Sequence, residues 1–199
     1  FGTVVLERLM DLLILALFTL LLLLTFPLEG TIKQYLIWGC IISFIVIAVL
    51  LIIINRIQIF QTENKMFIII KKIIDGLSSI RKEMVIPVII SSLLIWFIYL
   101  LDVYLIQKAF QLDLNWTDTL AILVISSLAL SIPSAPGMIG TFHAAVKYTM
   151  VDLFAFSAND GNAFAILLHA YGYILLTSLG AYYFMKSQFH NYALEAVLK

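Results

Sequence analysis

Five long stretches of the chain carry no Asp, Glu, Lys or Arg, or only one, and this feature limits the possible folds most. A membrane-spanning helix needs roughly 20 apolar residues, and four of the stretches reach or approach that length. They lie between Asp11 and Glu29, Lys33 and Arg56, Glu83 and Lys108, and Asp160 and Lys186. Hydrophobic residues make up 63% of the chain and charged residues 12%, whereas a soluble domain has roughly half and about a quarter. The sequence therefore predicts an all-α, polytopic membrane helical bundle whose solvent is lipid.

The fifth stretch, between Asp118 and Lys147, is interrupted near its centre by two prolines and two glycines. These are Pro133, Pro136, Gly137 and Gly140. Such a cluster cannot continue a helix, so we predict two short helices, about 117–131 and 141–156, joined by a break from Ser131 to Gly140. Broken backbone at membrane depth is tolerated only where protein or a water-filled cavity covers it. The segment is therefore interpreted as a re-entrant helix pair or as two short tilted spans.

The connector 55–83 carries half of the Lys and Arg residues of the chain. From Met66 onward its apolar residues fall at helical spacing, which is typical of a basic amphipathic helix on a membrane surface. An ordinary connector between spans is the alternative. Because positive charge concentrates on the cytoplasmic side, we expect this connector and the C-terminus to be cytoplasmic in a cell (inner or plasma) membrane protein.

The remaining composition excludes several classes of function. Twelve basic residues balance twelve acidic ones, which argues against nucleic acid as a partner, because nucleic acid requires a basic face. Cys40 is the only cysteine and is expected to be a packing residue. The sequence contains no Walker loop, no zinc-spaced Cys/His set and no Gly-x-Ser-x-Gly, so we expect no cofactor and no metal. We interpret 1–199 as a single transmembrane domain and, because the chain starts with Phe1, expect further spans before it.

Charged residues beside or within apolar stretches are the first functional candidates. Glu7, Arg8 and Asp11 open the first span at helical spacing, either as an interfacial cluster or as an ion-paired cluster that faces other helices. Asp102 lies late in the third span, where it is either hydrated at the outer interface or part of a polar site within the bundle.

Two histidines and the break form the second group of candidates. His169 lies well inside the last span, and an ionisable residue there is a functional hypothesis, although a packing role is open. The helix that starts after Gly140 has a partially positive N-terminus, and broken helices in transporters hold anionic groups in this way. His143 and Lys147 are four residues apart on that helix, so both could reach a phosphate oxygen. A structural kink with a packing histidine is the alternative.

Two segments resemble the signatures of one protein family. Glu7-Arg8-Leu9-Met10-Asp11 resembles the ERxxD segment of the lysylphosphatidylglycerol synthase transmembrane region, also called the flippase-like domain family. The segment Ile132-Pro-Ser-Ala-Pro-Gly-Met-Ile-Gly-Thr-Phe-His143 resembles that family's iPxxPGxiGxxE/H signature. The resemblance covers essentially the whole chain and matches the C-terminal two-thirds of the domain. The chain departs from the pattern at Met138, where many members have Gly, and at His143, where many have Glu.

The resemblance implies a role in lipid translocation. In lysylphosphatidylglycerol synthases this region is thought to move the aminoacylated lipid to the outer leaflet, and other members are linked to polyprenyl-phosphate or glycolipid handling in cell-envelope synthesis. The implied partner is a membrane lipid, either an anionic phospholipid or a polyprenyl-phosphate-linked one, and a homo-oligomer is open. No soluble aminoacyl-transferase domain follows in this sequence, so we expect no synthase activity from it.

We therefore expect a protein that binds and flips a lipid with a phosphate-bearing head group. The half-helix ends around Pro136–Gly140 would hold the phosphate, and the charged cluster at the start of the first span would contact or gate the head group. Two other classes are open. One is a membrane enzyme acting on a lipid-linked substrate, with His143, His169 or Asp102 as acid–base groups. The other is a non-catalytic scaffold or assembly subunit.

Overall fold

The computed structural model describes residues 2–56, 82–132, 134 and 136–197, and every regular element in these residues is helical. The predicted amphipathic helix of the 55–83 connector falls almost entirely on residues 57–81, outside the described residues. Pro133 also lies outside them.

Six α-helices follow one another along the described residues. They are α1 Gly2–Thr25, α2 Gly30–Arg56, α3 Lys82–Ala109, α4 Trp116–Leu130, α5 Thr141–Tyr148 and α6 Ala158–Val197. A 3-10 turn, Pro136–Met138, precedes α5, and a π-helical turn, Thr149–Leu153, follows it. Within the described ranges four segments are long and apolar enough to cross a membrane: Leu6–Thr25, Gly30–Leu50, Val85–Ala109 and Ala158–Ser187. These are the four predicted spans, so the all-α membrane fold is confirmed.

Only a small share of each candidate span, between 11% and 22%, is buried in the isolated chain. Large apolar side chains such as Leu24, Ile86 and Ile174 are more than half exposed. A water-soluble protein rarely exposes contiguous apolar patches of this kind. The exposed surfaces therefore fit a protein whose helices face lipid.

The predicted interruption between the two short helices is confirmed, but the second helix differs from the prediction. It was expected to cover 141–156, whereas regular α-helix ends at Tyr148 and a π-helical turn continues to Leu153. In this turn the Phe154 amide donates to the Thr149 carbonyl five residues earlier (3.1 Å). A π-turn holds one more residue than an α-turn, which residue periodicity does not reveal.

The helices group into two compact units, which are described separately. The first comprises Phe1–Leu101 and Leu114–Val124, and the second comprises Asp102–Asp113 and Ile125–Lys199. In the first unit α1 packs on α2. Cys40 is buried there, and its thiol donates to the carbonyl of Ala16 (3.6 Å), which agrees with a packing role.

A reciprocal cap fixes the start of α4. The side-chain oxygen of Asn115 accepts hydrogen bonds from the amides of Thr117 (2.8 Å) and Asp118 (3.0 Å). The Asp118 carboxylate accepts in return from the Asn115 amide (2.9 Å). This is a capping-box arrangement, which satisfies amides that the helix itself leaves unpaired.

In the second unit α5, the π-turn and the first part of α6 form a helical hairpin. Ser157 caps α6 by accepting from the Asp160 amide (3.1 Å). Gly161 is buried against the π-turn: a Cβ added to it would lie 2.8 Å from Val151 Cγ2 and 3.4 Å from Met150 Cβ. The close approach of the two arms therefore depends on the absence of a side chain at this position.

Candidate functional site: a groove at the helix break

A groove of about 420 Å³ lies beside the break, within the second unit. It is lined by Pro136, Gly137, Ile139, His143, Ile166, His169, Ala170 and Tyr173. Its volume falls within the range of roughly 300–1,000 Å³ of small-molecule sites, which are mostly apolar with a few placed polar groups. The groove matches that description, because the two imidazoles and one phenol are its polar side chains.

Two glycines give the break its backbone path. Gly137 has φ 74° and ψ 12°, and Gly140 has φ 108° and ψ −68°. Glycine adopts such positive φ values without the cost that a side chain brings. A Cβ on Gly137 would meet only ordinary contacts, at 3.8 Å from Ile139 and Tyr173. Its requirement for glycine is therefore conformational rather than steric.

The N-terminus of α5 follows directly. Gly140 is the N-cap residue, and no side chain caps the helix. The first intrahelical bond runs from the Ala144 amide to the Gly140 carbonyl (2.8 Å). The preceding amides of the first turn have no intrahelical acceptor, and the helix dipole makes this end partially positive. Thr141 Oγ1 donates to Ser134 Oγ (3.0 Å) and so ties the turn to the helix start.

The two histidines predicted as separate candidates lie together in the groove. The ring centroids of His143 on α5 and His169 on α6 are 4.7 Å apart. Phe142 packs on His169 at 4.9 Å, and Tyr173 meets the same ring edge-on at 6.1 Å. The Nδ1 atom of His143 is buried, and it has no hydrogen-bond partner among the described residues. Burial and the nearby His169 lower the pKa of His143, which lies outside the four spans.

Other predicted residues near the break lie outside the groove lining. Lys147 is exposed on α5. Ser131 is also exposed, and its hydroxyl donates to the Leu128 carbonyl (2.6 Å). Asp102 is half-buried on α3. The structure therefore joins Pro136, Gly137, His143 and His169 in one groove, but does not bring Lys147 or Asp102 into its lining.

The charged cluster belongs to the first unit and is ion-paired there. Arg8 contacts Glu7 (2.7 Å) and Asp11 (3.0 Å), and the Asp11 side chain is 31% exposed whereas the Arg8 side chain is 69% exposed. The indole of buried Trp96 donates to Asp11 Oδ1 (3.2 Å). α1 begins before these residues, so they lie on the helix, in agreement with their helical spacing in the sequence.

Sequence reasoning missed two polar partners. Tyr173 follows His169 by four residues on one helix, so the spacing alone could have predicted that the two side chains share a helix face. Trp96 gave no comparable signal, because its contact with Asp11 joins residues far apart in the chain.

The chemistry open to the groove is binding of an anion or proton transfer. A helix N-terminus and two imidazoles suit a phosphate or carboxylate. In the part of the chain that the structure describes, no group of three or more His, Cys, Asp or Glu residues converges as a metal site.

These features define the chain as a multi-pass integral membrane protein with a broken helix beside a histidine-lined groove. The sequence model of the lysylphosphatidylglycerol synthase TM region matches residues 1–180, and the chain belongs to this family. The resemblance noted from the two sequence signatures is thereby confirmed, and it places the protein among membrane proteins related to lipid handling. Comparison with curated proteins and with solved structures gave no match.

Proposed function

We propose that this protein binds a lipid with a phosphate-bearing head group and moves it between the leaflets of a cell membrane. The broken pair α4 and α5 would be re-entrant, with the connector and C-terminus on the cytoplasmic side. The lipid would be an anionic phospholipid or a polyprenyl-phosphate-linked lipid. The observation that carries the proposal is the groove at the break, which has two histidines and an apolar wall in its lining and reaches the first turn of α5 at His143.

The groove suits an amphipathic guest. A phosphate near Gly140 would accept hydrogen bonds from the amides of the first turn of α5 and from an imidazole. Ile139, Ile166 and Ala170 supply apolar surface beside these donors. The head group would therefore occupy a polar position while the acyl tails stay in lipid, which a translocating protein requires because a bare charge in hydrocarbon is costly.

The ion-paired cluster of the first unit is the second proposed contact. Asp11 is half-buried and held by both Arg8 and Trp96, whereas Arg8 is exposed and retains donors for a further anion. We assign this cluster to the cytoplasmic side, where it would contact or gate the head group before the groove binds it.

Blocking the groove tests the proposal. Protein reconstituted in phosphatidylcholine vesicles with tail-labelled fluorescent phosphatidylglycerol should accelerate loss of the protected fluorescence when dithionite is added outside. Ala170→Trp places a large ring in the groove, and Ala181→Trp places the same ring at an exposed position of the same helix. We expect Ala170→Trp to slow translocation at least tenfold and Ala181→Trp to leave it unchanged. Equal rates for both variants, or no acceleration by the wild type with this lipid or a labelled polyprenyl phosphate, would contradict the proposal.

A membrane enzyme is the second candidate, because His143 and His169 lie close enough to act as an acid–base pair on a bound lipid. Mass analysis of the lipids from the same vesicles distinguishes the two functions. A translocating protein returns the labelled lipid unchanged, whereas an enzyme converts it to a new species.

A further inference from the structure

The groove combines an anion-binding geometry with an absence of permanent positive charge in its lining. Its ionisable side chains are His143, His169 and Tyr173. The other ionisable side chains on α5, the π-turn and α6 up to Tyr173 are exposed and do not line the groove: Lys147, Tyr148, Asp152, Asp160 and Tyr171. Among the described residues that line the groove, positive side-chain charge can therefore come only from protonation of a histidine.

We propose that His143 and His169 together hold one proton when a lipid phosphate occupies the groove, so that binding of the head group takes up a proton. This inference rests on the proposed function and adds to it a coupling between the lipid and pH.

One proton follows from the distance between the rings. Two imidazolium ions with centroids 4.7 Å apart would repel each other strongly in a partly buried site. This repulsion limits the empty groove to one imidazolium at most, and the burial of the His143 ring beside apolar side chains disfavours that one as well. An anion beside the rings favours protonation of one of them, because its negative charge attracts the imidazolium. The single charge of a phosphodiester does not compensate the repulsion between two imidazolium ions, so the second ring stays neutral.

The unpartnered ring nitrogen supports the same conclusion. His143 Nδ1 is buried without a hydrogen-bond partner in the described structure, which leaves a buried polar atom unsatisfied. A neutral imidazole has one donor and one acceptor nitrogen, whereas the protonated ring has two donors. Protonation on binding gives the pair an additional N–H donor for the phosphate.

The proton balance needs no further reactant. Water at the open side of the groove supplies the proton as the anion enters, and the proton returns to water when the lipid leaves. No covalent bond of the lipid forms or breaks.

Proton uptake by the wild-type protein is the direct test. Detergent-purified protein is mixed with dihexanoyl phosphatidylglycerol in weakly buffered solution, and a pH indicator reports the protons taken up. This phosphodiester stays singly negative between about pH 5 and pH 8, where histidine titrates. We expect up to about one proton per bound lipid and an affinity that falls up to about tenfold per pH unit as the histidines deprotonate. Dihexanoylglycerol, with the same tails and no phosphate, should take up none.

Variants assign the proton to the pair. His143→Gln and His169→Gln should flatten the pH dependence, and Lys186→Gln, which removes a charge from an exposed position of α6, should preserve it. Lys147→Gln is the competing test: if it abolishes the dependence and the histidine variants do not, the proton proposal is wrong. Dimethyl phosphate that binds and takes up protons as well as the lipid would show that the site recognises free phosphate and would overturn the lipid assignment.

The two proposals fail in different ways. Translocation that proceeds with pH-independent binding contradicts the proton coupling alone. An absence of both binding and translocation at every pH contradicts both.

Discussion

The indole N–H of Trp96 donates to the carboxylate of Asp11 (3.2 Å), and these residues come from α3 and α1 of the first unit. Asp11 also accepts from Arg8 (3.0 Å). The carboxylate at the end of the ERxxD segment therefore has two partners: Arg8 on its own helix and Trp96 on another helix of the unit.

Trp96→Phe should destabilise the first unit by about 1–3 kcal/mol, because it removes the donor to a half-buried charged acceptor. The phenyl ring would still pack near Phe18 and Tyr99. The measurement is thermal unfolding in detergent, with Trp38→Phe as the control, since Trp38 is 62% exposed. Equal stability of the two variants would show that the hydrogen bond contributes nothing.

Gly161→Ala should destabilise the hairpin of the second unit by about 1–3 kcal/mol, which is typical of overpacking. The added methyl would lie 2.8 Å from Val151 Cγ2. Gly172→Ala on the same helix meets no atom within 4 Å and should cause no loss, because alanine favours helix over glycine. Unfolding of both variants in the same detergent checks this, and Gly161→Ala combined with Val151→Ala should recover part of the loss.

Gly137→Ala should slow lipid translocation while the protein remains folded. Forcing a side chain into the left-handed region costs about 1–2 kcal/mol and would shift the backbone that lines the groove. Gly30→Ala is the matched control, because Gly30 also has a positive φ (67°) but lies in the first unit. Both variants should lose similar stability in thermal unfolding. If translocation falls equally in both, the effect is general strain and the groove assignment loses this support.

Asn115→Ala should destabilise α4 by about 1–2 kcal/mol through loss of its cap. Asn115→Asp retains a side-chain acceptor for the Thr117 and Asp118 amides, so it should recover most of the stability, apart from repulsion between the neighbouring carboxylates. Hydrogen exchange of the first α4 amides reports the effect locally. Unchanged exchange in Asn115→Ala would mean that water replaces the cap without cost.

The spans were predictable because lipid selects long charge-free stretches, and four of them became four candidate spanning helices. The break was predictable for a local reason as well, since Pro136, Gly137 and Gly140 exclude regular helix. The spacing of Glu7, Arg8 and Asp11 also predicted that they lie on one helix. The hydrogen bond from Trp96 to Asp11 was not predictable, because it joins residues far apart in the chain.

The candidate site was predictable only in part. His143 and His169 were each identifiable as ionisable residues in apolar surroundings. Their contact was not, because the register of α5 against α6 depends on how Gly161 packs on the π-turn. Lys147 appeared equivalent to His143 by helical spacing, yet it is exposed on the same helix. Spacing gives the face of a helix, but the neighbouring helix decides which part of that face borders a groove.

The π-turn makes the position of His143 relative to His169 depend on the number of residues between them. Deleting one of its residues would restore ordinary helical geometry and change the direction in which the chain leaves α5 before it turns back into α6. His143 and His169 would both survive such a deletion and would no longer face each other. The contact between His143 and His169 therefore requires the number of residues in this segment as well as the two histidines. A relative with a deletion here could keep both histidines and still lose the site.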